Sequence, residues 1–299
     1  MSLFPITFSI AEEKICPQLN IHEKCKIMSS LVPGNTSTYI YNTEEKYYNE
    51  YKQSYFAMTK MKGGWDCLRH YEILTNGCVP IFIEIEKCPP NTLAILPKDL
   101  FIEANQLYYS KFANKQIHQL TPQDIYEYTI LLTKLMEHTK KHLTTRKMAE
   151  YVIQKINLPV SRILFLSGNT DPDYLRCLTL HGLKEVFGAN CHDFPKIQHI
   201  YKSNSIDYSR LYGKGMTYTN LLEPTLHNDL LDTRIVEDIK NKYYDIVIYG
   251  SYHRGMPYYD LVCSTYLRNE IILFCGEDLH QCNCMHWINC GHYVFVREC

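Results

Sequence analysis

The chain has 299 residues, of which 45% are hydrophobic and 21% are charged, and its formal net charge at pH 7 is −1. This apolar content is sufficient for one large hydrophobic core or two medium ones, and two domains fit the usual domain size better. The nearly neutral charge argues against a nucleic-acid partner, because general nucleic-acid binders carry a strong basic excess.

The sequence also predicts no membrane span, because no stretch approaches the roughly 18 consecutive apolar residues that a spanning helix needs. The N-terminal segment lacks a basic region and is interrupted by Pro5 and Glu12, which is unlike a secretory signal peptide. Without an export signal, we expect the 13 cysteines to be mostly reduced thiols and the protein to be cytoplasmic.

The most informative segment, residues 54–89, has the pattern of a strand, a loop, a helix and a second strand. The predicted elements are a strand at 55–59, a loop at 60–64, a helix at 66–76 and a strand at 79–85. Gly77 is the expected C-terminal stop of the helix. A glycine loop that leads into a helix N-terminus presents free backbone amides and a positive dipole end, so it can bind an anion.

Candidate substrate-binding residues lie in and just after this loop. Gly63 and Gly64 would form its turn, and Lys62 and Arg69 could neutralise a diphosphate. Glu72 follows on the same helix, where its carboxylate could accept hydrogen bonds from both hydroxyls of a ribose. Together these features fit a nucleotide-diphosphate sugar. A structural alternative is that Arg69 and Glu72 form a surface ion pair and the glycines a plain turn.

A domain boundary is predicted near Pro159, which divides the chain into residues 1–158 and 159–299. Two helices are expected before it. The first begins at Pro122 with Thr121 as its N-cap, and the second ends where the proline prevents its continuation.

Beyond the boundary, short apolar runs alternate with a helical stretch. The predicted strands lie at 162–167, 244–249, 270–274 and 293–296, and a helix lies at 173–186. This alternation is typical of β-α-β units in a doubly wound parallel sheet. Ligands of such sheets bind beyond the carboxyl ends of the strands.

Candidate catalytic residues follow these strands. Asp171 comes after the first strand and could act as a general base, but the simpler interpretation, which we favour, is that Asp171 or Asp173 caps the next helix. His253 and Arg254 come after the second strand, where a histidine can transfer a proton and an arginine can hold a phosphate. The acidic residues 277–278 follow the third strand, with less specificity.

A cluster of cysteine and histidine residues near the C-terminus raises the possibility of a zinc site. Its members are Cys282, Cys284, His286, Cys290, His292 and Cys299. Structural zinc sites usually use Cys-x2–4-Cys pairs joined by a longer loop, and the pairs in this cluster are closer together. The spacing therefore favours a buried cysteine-rich stretch, and we predict no metal and no cofactor.

The early strand, glycine loop and helix resemble the donor-side motif of exostosin-like glycosyltransferases. The motif consists of Arg69, Glu72 three residues later, and Gly-Cys-Val-Pro at 77–80 before an apolar strand. Residues 8–10 and 37–41 are also similar to uncharacterised exostosin-like proteins of large DNA viruses. The resemblance covers about the first 115 residues.

The resemblance implies an α/β fold with two Rossmann-like domains of the GT-B type, with the donor domain in residues 1–158. Arg69 would contact the diphosphate and Glu72 the ribose. In the family the acceptor-side domain precedes the donor-side domain. Here the second Rossmann-like domain, at 159–299, follows it, so the order is permuted or the second half is a different domain. A viral chain would act in the host cytoplasm or in the virion.

The resulting hypothesis is a metal-independent glycosyltransferase that moves a sugar from a nucleotide-diphosphate sugar to a hydroxyl of a glycan or protein acceptor. Lys62, Arg69 and the helix N-terminus would stabilise the leaving diphosphate, and His253 or Asp171 would deprotonate the acceptor. One alternative is a non-catalytic module that binds a nucleotide sugar or glycan as a partner subunit or virion component. Another is a second half with a nucleotide ligand of its own.

Overall fold

The structure is a computed structural model that describes residues 2–18, 20–278 and 283–299. It is an α/β fold with one six-stranded and one three-stranded parallel sheet. The strands are β1 (Ser2–Pro5), β2 (Lys26–Met28), β3 (Ser54–Thr59), β4 (Val79–Phe82), β5 (Ile163–Leu166), β6 (Cys191–Phe194), β7 (Ile246–Tyr249), β8 (Ile271–Cys275) and β9 (Tyr293–Val296). The helices are α1 (Glu44–Lys52), α2 (Leu68–Thr75), α3 (Lys98–Leu107), α4 (Pro122–His138), α5 (Thr145–Ile156), α6 (Tyr174–Phe187), α7 (Asp229–Asp232), α8 (Ile235–Lys240), α9 (Tyr259–Thr265) and α10 (Cys284–Asn289).

The larger sheet has the strand order β1-β9-β8-β7-β5-β6, and its neighbouring strands are parallel. Taken without β1, this is the 2-1-3-4-5 order of doubly wound sheets. The four strands predicted for the second half are present as β5, β7, β8 and β9, so the predicted parallel α/β sheet is confirmed. Such an architecture is compatible with a Rossmann-like domain.

Two strands of the larger sheet were not predicted from the sequence. β6 carries His192 and Asp193, which are buried at 1% and 0% exposure, so it lacks an apolar pattern. β1 pairs with β9, with Phe4 opposite Phe295. The larger sheet therefore takes strands from both sides of the predicted boundary at residue 158, and the division into two domains stays a prediction.

The smaller sheet has the order β2-β3-β4, with β3 in the centre. The strand, helix and strand predicted for residues 55–85 are present as β3, α2 and β4. Gly77 has a φ of +66°, which confirms it as the helix stop. β4 ends before the predicted residue 85, because Glu84 adopts a left-handed backbone conformation with a φ of 60°.

The predicted helix caps are also present. The Thr121 hydroxyl accepts a hydrogen bond from the Asp124 amide, and the Asp124 carboxylate accepts one from the Thr121 amide, which completes a capping box at α4. Asp173 caps α6, since its Oδ1 accepts the Arg176 amide at 3.0 Å. Of the two interpretations for the acidic pair after β5, the helix cap is therefore confirmed for Asp173.

The largest hydrophobic core joins the two parts of the chain. It contains Phe56 and Tyr128 beside the smaller sheet and Ile163 and Phe295 from the larger one. The fold thus brings the loops of both sheets together at one place.

Among the described residues, no helix combines the length and the apolar character that crossing a bilayer needs.

Candidate functional site

A cleft of about 960 Å³ lies between loops that follow strands of both sheets. The loop after β3 and the start of α2 provide Lys62 and Arg69, and the loops after β5, β7 and β8 provide Asp173, Arg254 and Glu277. This position agrees with the rule that ligands of parallel sheets bind beyond the carboxyl ends of the strands. The volume lies near the upper end of the range for small-molecule sites, about 300–1,000 Å³.

The structure brings the six predicted substrate-binding residues together around this cleft. They are Lys62, Gly63, Gly64, Arg69, Glu72 and Arg254. The two predicted catalytic residues, His253 and Asp171, are not among the residues that line it, although their chain neighbours are. The fold thus brings the predicted substrate-binding residues together, and the role of each residue stays a prediction.

The glycine loop is shaped by two carboxylates from the far end of the chain. A β-carbon at Gly63 would overlap the Asp278 side chain, and one at Gly64 would overlap Glu298. The Asp66 amide donates to the Glu298 carboxylate at 3.0 Å. Part of the predicted amide-lined loop is therefore already bound by the protein itself, and the anion surface left to the cleft is the start of α2 with Lys62 and Arg69.

Arg69 is buried beside the cleft, with an exposure of 7%. Its Nε donates to the Tyr39 hydroxyl at 2.9 Å, and its guanidinium carbon lies 5.9 Å from the centre of that ring. One terminal nitrogen, Nη1, is buried and has no hydrogen-bond partner in the described part of the chain. Burying an unsatisfied donor on a charged group is costly, which makes Nη1 a candidate contact for an anion.

Glu72 is also buried, and it bonds to groups other than Arg69. Its Oε2 accepts the Tyr47 hydroxyl at 2.7 Å, and its Oε1 accepts the Thr217 hydroxyl at 2.6 Å. Burial raises the pKa of the Glu72 carboxyl. The surface ion-pair interpretation is therefore wrong, because both Arg69 and Glu72 are at least nine-tenths buried and no ion pair among the described residues joins them. Each carboxylate oxygen keeps one lone pair for a ligand.

His253 and Glu277 form a pair at the edge of the cleft. His253 Nε2 lies 2.8 Å from Glu277 Oε1, and the side-chain exposures are 15% and 37%. Burial lowers the pKa of the His253 ring, and the charge of Glu277 acts in the opposite direction. Glu277 is the member of the pair that lines the cleft, and His253 does not line it.

The loop after β5 gives Asp171 a different setting. Asp171 is exposed, its amide donates to Asn169 Oδ1, and its carbonyl oxygen accepts a hydrogen bond from Arg176. Asp173 instead lies at the cleft, where its Oδ2 accepts the Ser251 hydroxyl at 2.7 Å and lies 3.1 Å from Arg254 Nε. The carboxylate that reaches the cleft from this loop is thus the helix cap.

Sequence reasoning missed an aromatic and basic wall of the cleft. Tyr174 at the start of α6 and Tyr212 have ring centres 5.5 Å apart, and Tyr212 is 66% exposed. Arg210 and Lys214 line the cleft from the same stretch as Tyr212. Exposed aromatic faces bind nucleobases and sugars by stacking. The run Tyr-Gly-Lys-Gly at 212–215 could have indicated this wall, because glycines flank a lysine beside an aromatic residue. The chain has 25 tyrosines, however, so a single tyrosine is not a specific signal.

The C-terminal cysteine and histidine residues do not form a shared metal site in the described part of the chain. Cys282 lies outside the described residues. His292 Nε2 is bound to the Tyr259 hydroxyl at 2.7 Å and its Nδ1 lies 3.1 Å from the Arg268 carbonyl oxygen. Cys290 Sγ approaches His286 Nε2 only to 3.8 Å.

Glu50 on α1 fixes another part of the cleft wall. Its carboxylate accepts hydrogen bonds from Lys26 Nζ at 2.6 Å, from the Ser30 amide at 2.7 Å and from the hydroxyl of Tyr41, a lining residue, at 2.7 Å. Burial favours the neutral carboxyl, but these hydrogen bonds outweigh it and lower the pKa of Glu50 to about 2.

Glu50→Gln is expected to lower the free energy of unfolding at pH 7 by about 1–3 kcal/mol, because it removes the charge of a buried acceptor that three donors contact. The depressed pKa means that the Glu50 contribution is present above the unfolded value near 4.5 and is lost as the pH falls towards 2. Urea unfolding between pH 7 and 3 checks this: the wild type loses stability on acidification, and the variant loses less. Glu45→Gln, on the exposed face of α1, is the control. Identical acid profiles for wild type and Glu50→Gln would contradict the assignment.

A comparison of the chain with protein-family models, curated proteins and solved structures finds no match.

Proposed function

We propose that the protein is an exostosin-like glycosyltransferase of the GT-B type, which transfers a sugar from a nucleotide-diphosphate sugar to an acceptor hydroxyl. One observation carries the proposal. The residues predicted for the donor in 62–72, and Arg254 from the second half, line a single cleft. That cleft lies at loops that follow strands of two parallel sheets, which supports a ligand site at this place.

The donor diphosphate is proposed to lie between Lys62 and Arg69 at the start of α2, with Arg254 on the opposite side. As the sugar leaves, negative charge grows on the diphosphate. Fixed cations and the helix dipole stabilise this charge more in the transition state than in the ground state, which accelerates the reaction. The Nη1 atom of Arg69, a donor without a hydrogen-bond partner among the described residues, is suited to contact the diphosphate. The nucleoside is proposed to stack against Tyr212 and Tyr174.

The acceptor proton is proposed to leave through the His253–Glu277 pair. The acceptor oxygen forms a bond to the anomeric carbon, the bond from that carbon to the diphosphate oxygen breaks, and the acceptor proton passes to Glu277, the carboxylate on the cleft side. His253 then positions Glu277 from behind, at 2.8 Å. Such a base is needed if the reaction inverts the anomeric centre.

The second candidate function is non-catalytic binding of a nucleotide sugar or glycan. Two observations favour it: Glu72 already accepts hydrogen bonds from Tyr47 and Thr217, and Glu298 already binds the Asp66 amide of the glycine loop. A cleft with these groups partly satisfied can still hold a ligand without turning it over.

Turnover and binding measured together distinguish the two functions. UDP- and GDP-sugars are assayed by calorimetry for binding and by release of the free diphosphate for turnover. We expect saturable binding and turnover of at least one donor, and Glu277→Gln should lower kcat about 100-fold or more at a similar Kd. Glu84→Gln, in an exposed ion pair with Lys87, is the control. Binding without turnover for any donor supports the second function, and no binding of any donor overturns both.

A further inference from the structure

A second group of convergent polar side chains lies away from the cleft, at the edge of the larger sheet. His192 is on the edge strand β6, His227 precedes α7, and Asp232 is the last residue of α7. Their potential ligand atoms all lie within 4.8 Å of one another. Both histidines are buried, and the Asp232 side chain is 30% exposed, so the group opens to solvent on the carboxylate side.

The distances within this group are short, but they do not form a complete hydrogen-bond network. His192 Nε2 lies 2.9 Å from Asp232 Oδ1, and His227 Nε2 lies 3.2 Å from Asp232 Oδ2. In the described part of the chain, neither His192 Nε2 nor Asp232 Oδ1 has a hydrogen-bond partner of acceptable geometry. A buried, unpartnered imidazole nitrogen is costly, and here it lies close to a carboxylate oxygen that also lacks a partner.

Asp193 determines how His227 presents its second nitrogen. His227 Nδ1 lies 3.0 Å from Asp193 Oδ1, and a carboxylate there accepts the Nδ1 proton. The negative charge of Asp193 is already balanced by Lys184 Nζ at 2.9 Å, with both side chains fully buried. His227 Nε2 in turn lies 3.2 Å from Asp232 Oδ2, within hydrogen-bonding distance, so each ring nitrogen of His227 faces a carboxylate.

We propose that His192, His227 and Asp232 bind one divalent transition-metal ion of the zinc class, with Asp193 orienting His227. Two imidazoles and one carboxylate suit Zn²⁺ better than Mg²⁺ or Ca²⁺, which prefer oxygen ligands. Ligands about 2.0–2.1 Å from a tetrahedral zinc lie roughly 3.3 Å apart, close to the observed separations. A carboxylate on the second nitrogen of a metal-binding histidine is a common orienting contact.

The ion would join β6 to residues 224–232. That segment follows the stretch of chain in which Arg210 and Lys214 line the cleft. The metal would therefore hold the chain against β6 shortly after it leaves the cleft. The inference is independent of the proposed function, because none of the three ligands lines the cleft.

The test uses the full-length protein, treated with EDTA, dialysed and then titrated with Zn²⁺. We expect about one equivalent of zinc by calorimetry and elemental analysis, a higher Tm with zinc, and visible d–d absorption bands when Co²⁺ replaces it. Asp232→Asn, the least buried ligand and the variant best placed to fold, should weaken zinc binding about 100-fold and lose the Co²⁺ bands. The control His286→Asn/Cys290→Ser removes two C-terminal candidate ligands and should leave stoichiometry and affinity unchanged.

Three results would overturn the proposal. They are failure of the wild type to bind an equivalent of zinc, unchanged zinc affinity in Asp232→Asn, and loss of the zinc in the C-terminal control variant. If Asp232→Asn lowers the Tm equally with and without zinc while no metal binds, the group is instead an ion-pair network around a protonated His227.

Discussion

Arg69→Ala is expected to weaken the binding of UDP or GDP about 10- to 100-fold and to change the binding of the free nucleoside little. A charge-assisted hydrogen bond between a guanidinium and a phosphate contributes about 1.5–3 kcal/mol, which corresponds to this range. The expectation rests on the buried, unpartnered Nη1 of Arg69 beside the cleft. Calorimetric titration of each diphosphate and of its nucleoside measures the two effects separately.

Two further variants distinguish a diphosphate contact from a structural role. Arg69→Lys keeps the charge but loses the fork of the guanidinium, so it should retain part of the diphosphate affinity. Tyr39→Phe removes the hydroxyl that Arg69 Nε contacts, without removing the cation, and should have a smaller effect than Arg69→Ala. Equal losses for diphosphate and nucleoside, or a loss that Tyr39→Phe reproduces in full, would show that Arg69 only supports the fold.

Local sequence signals predicted much of the secondary structure. Thr121 and Asp173 cap their helices through hydrogen bonds to amides three residues later, so the nearby sequence is sufficient to identify them. The apolar runs that became β5 and β7 are buried strands of a parallel sheet, which are recognisable because both of their faces are covered.

Features that depend on distant contacts could not be predicted from these signals. β6 is stabilised by polar partners, such as Lys184 for Asp193, instead of by an apolar pattern. Gly63 and Gly64 suggested a phosphate loop, but the structure gives a further reason for them. They admit the carboxylates of Asp278 and Glu298, which lie more than 200 positions away in the sequence.

The same distinction applies to the candidate site. Lys62, Arg69 and Glu72 were predicted as a set because they lie within one loop and helix, and they do lie around one cleft. The sequence could not show that Glu72 is held by Thr217, or that His253 contacts Glu277, the member of that pair that lines the cleft. These pairings are formed by the folded chain, and they decide which atoms remain free for a ligand.

Arg297 is the side chain that joins the glycine loop to the larger sheet. It is fully buried, and it donates to the carbonyl oxygens of Asp66 and Gly276 and to the carboxylates of Asp278 and Glu298. Its guanidinium also lies over the ring of Phe8, 4.5 Å from the ring centre. One cation thus pairs with both of the carboxylates that pack against Gly63 and Gly64.

Arg297→Met is expected to lower the free energy of unfolding by about 3–5 kcal/mol, because it leaves the buried Glu298 carboxylate without its cation and the carbonyl oxygens of Asp66 and Gly276 without the guanidinium donors. Urea unfolding at neutral pH measures the loss. The control Arg146→Met removes an exposed arginine that donates to the Glu185 carbonyl oxygen, and should cost less than about 1 kcal/mol.

The double variant Arg297→Met/Glu298→Gln tests the cause of this loss. If the cost comes from the unpaired charge of Glu298, removing that charge recovers part of the stability that Arg297→Met loses. If instead the double variant is less stable by the sum of both single effects, the arginine contributes through its packing against Phe8, and the electrostatic account is wrong. Since Asp278 and Glu298 shape the glycine loop, Arg297→Met should also weaken diphosphate binding, whereas Arg146→Met should not.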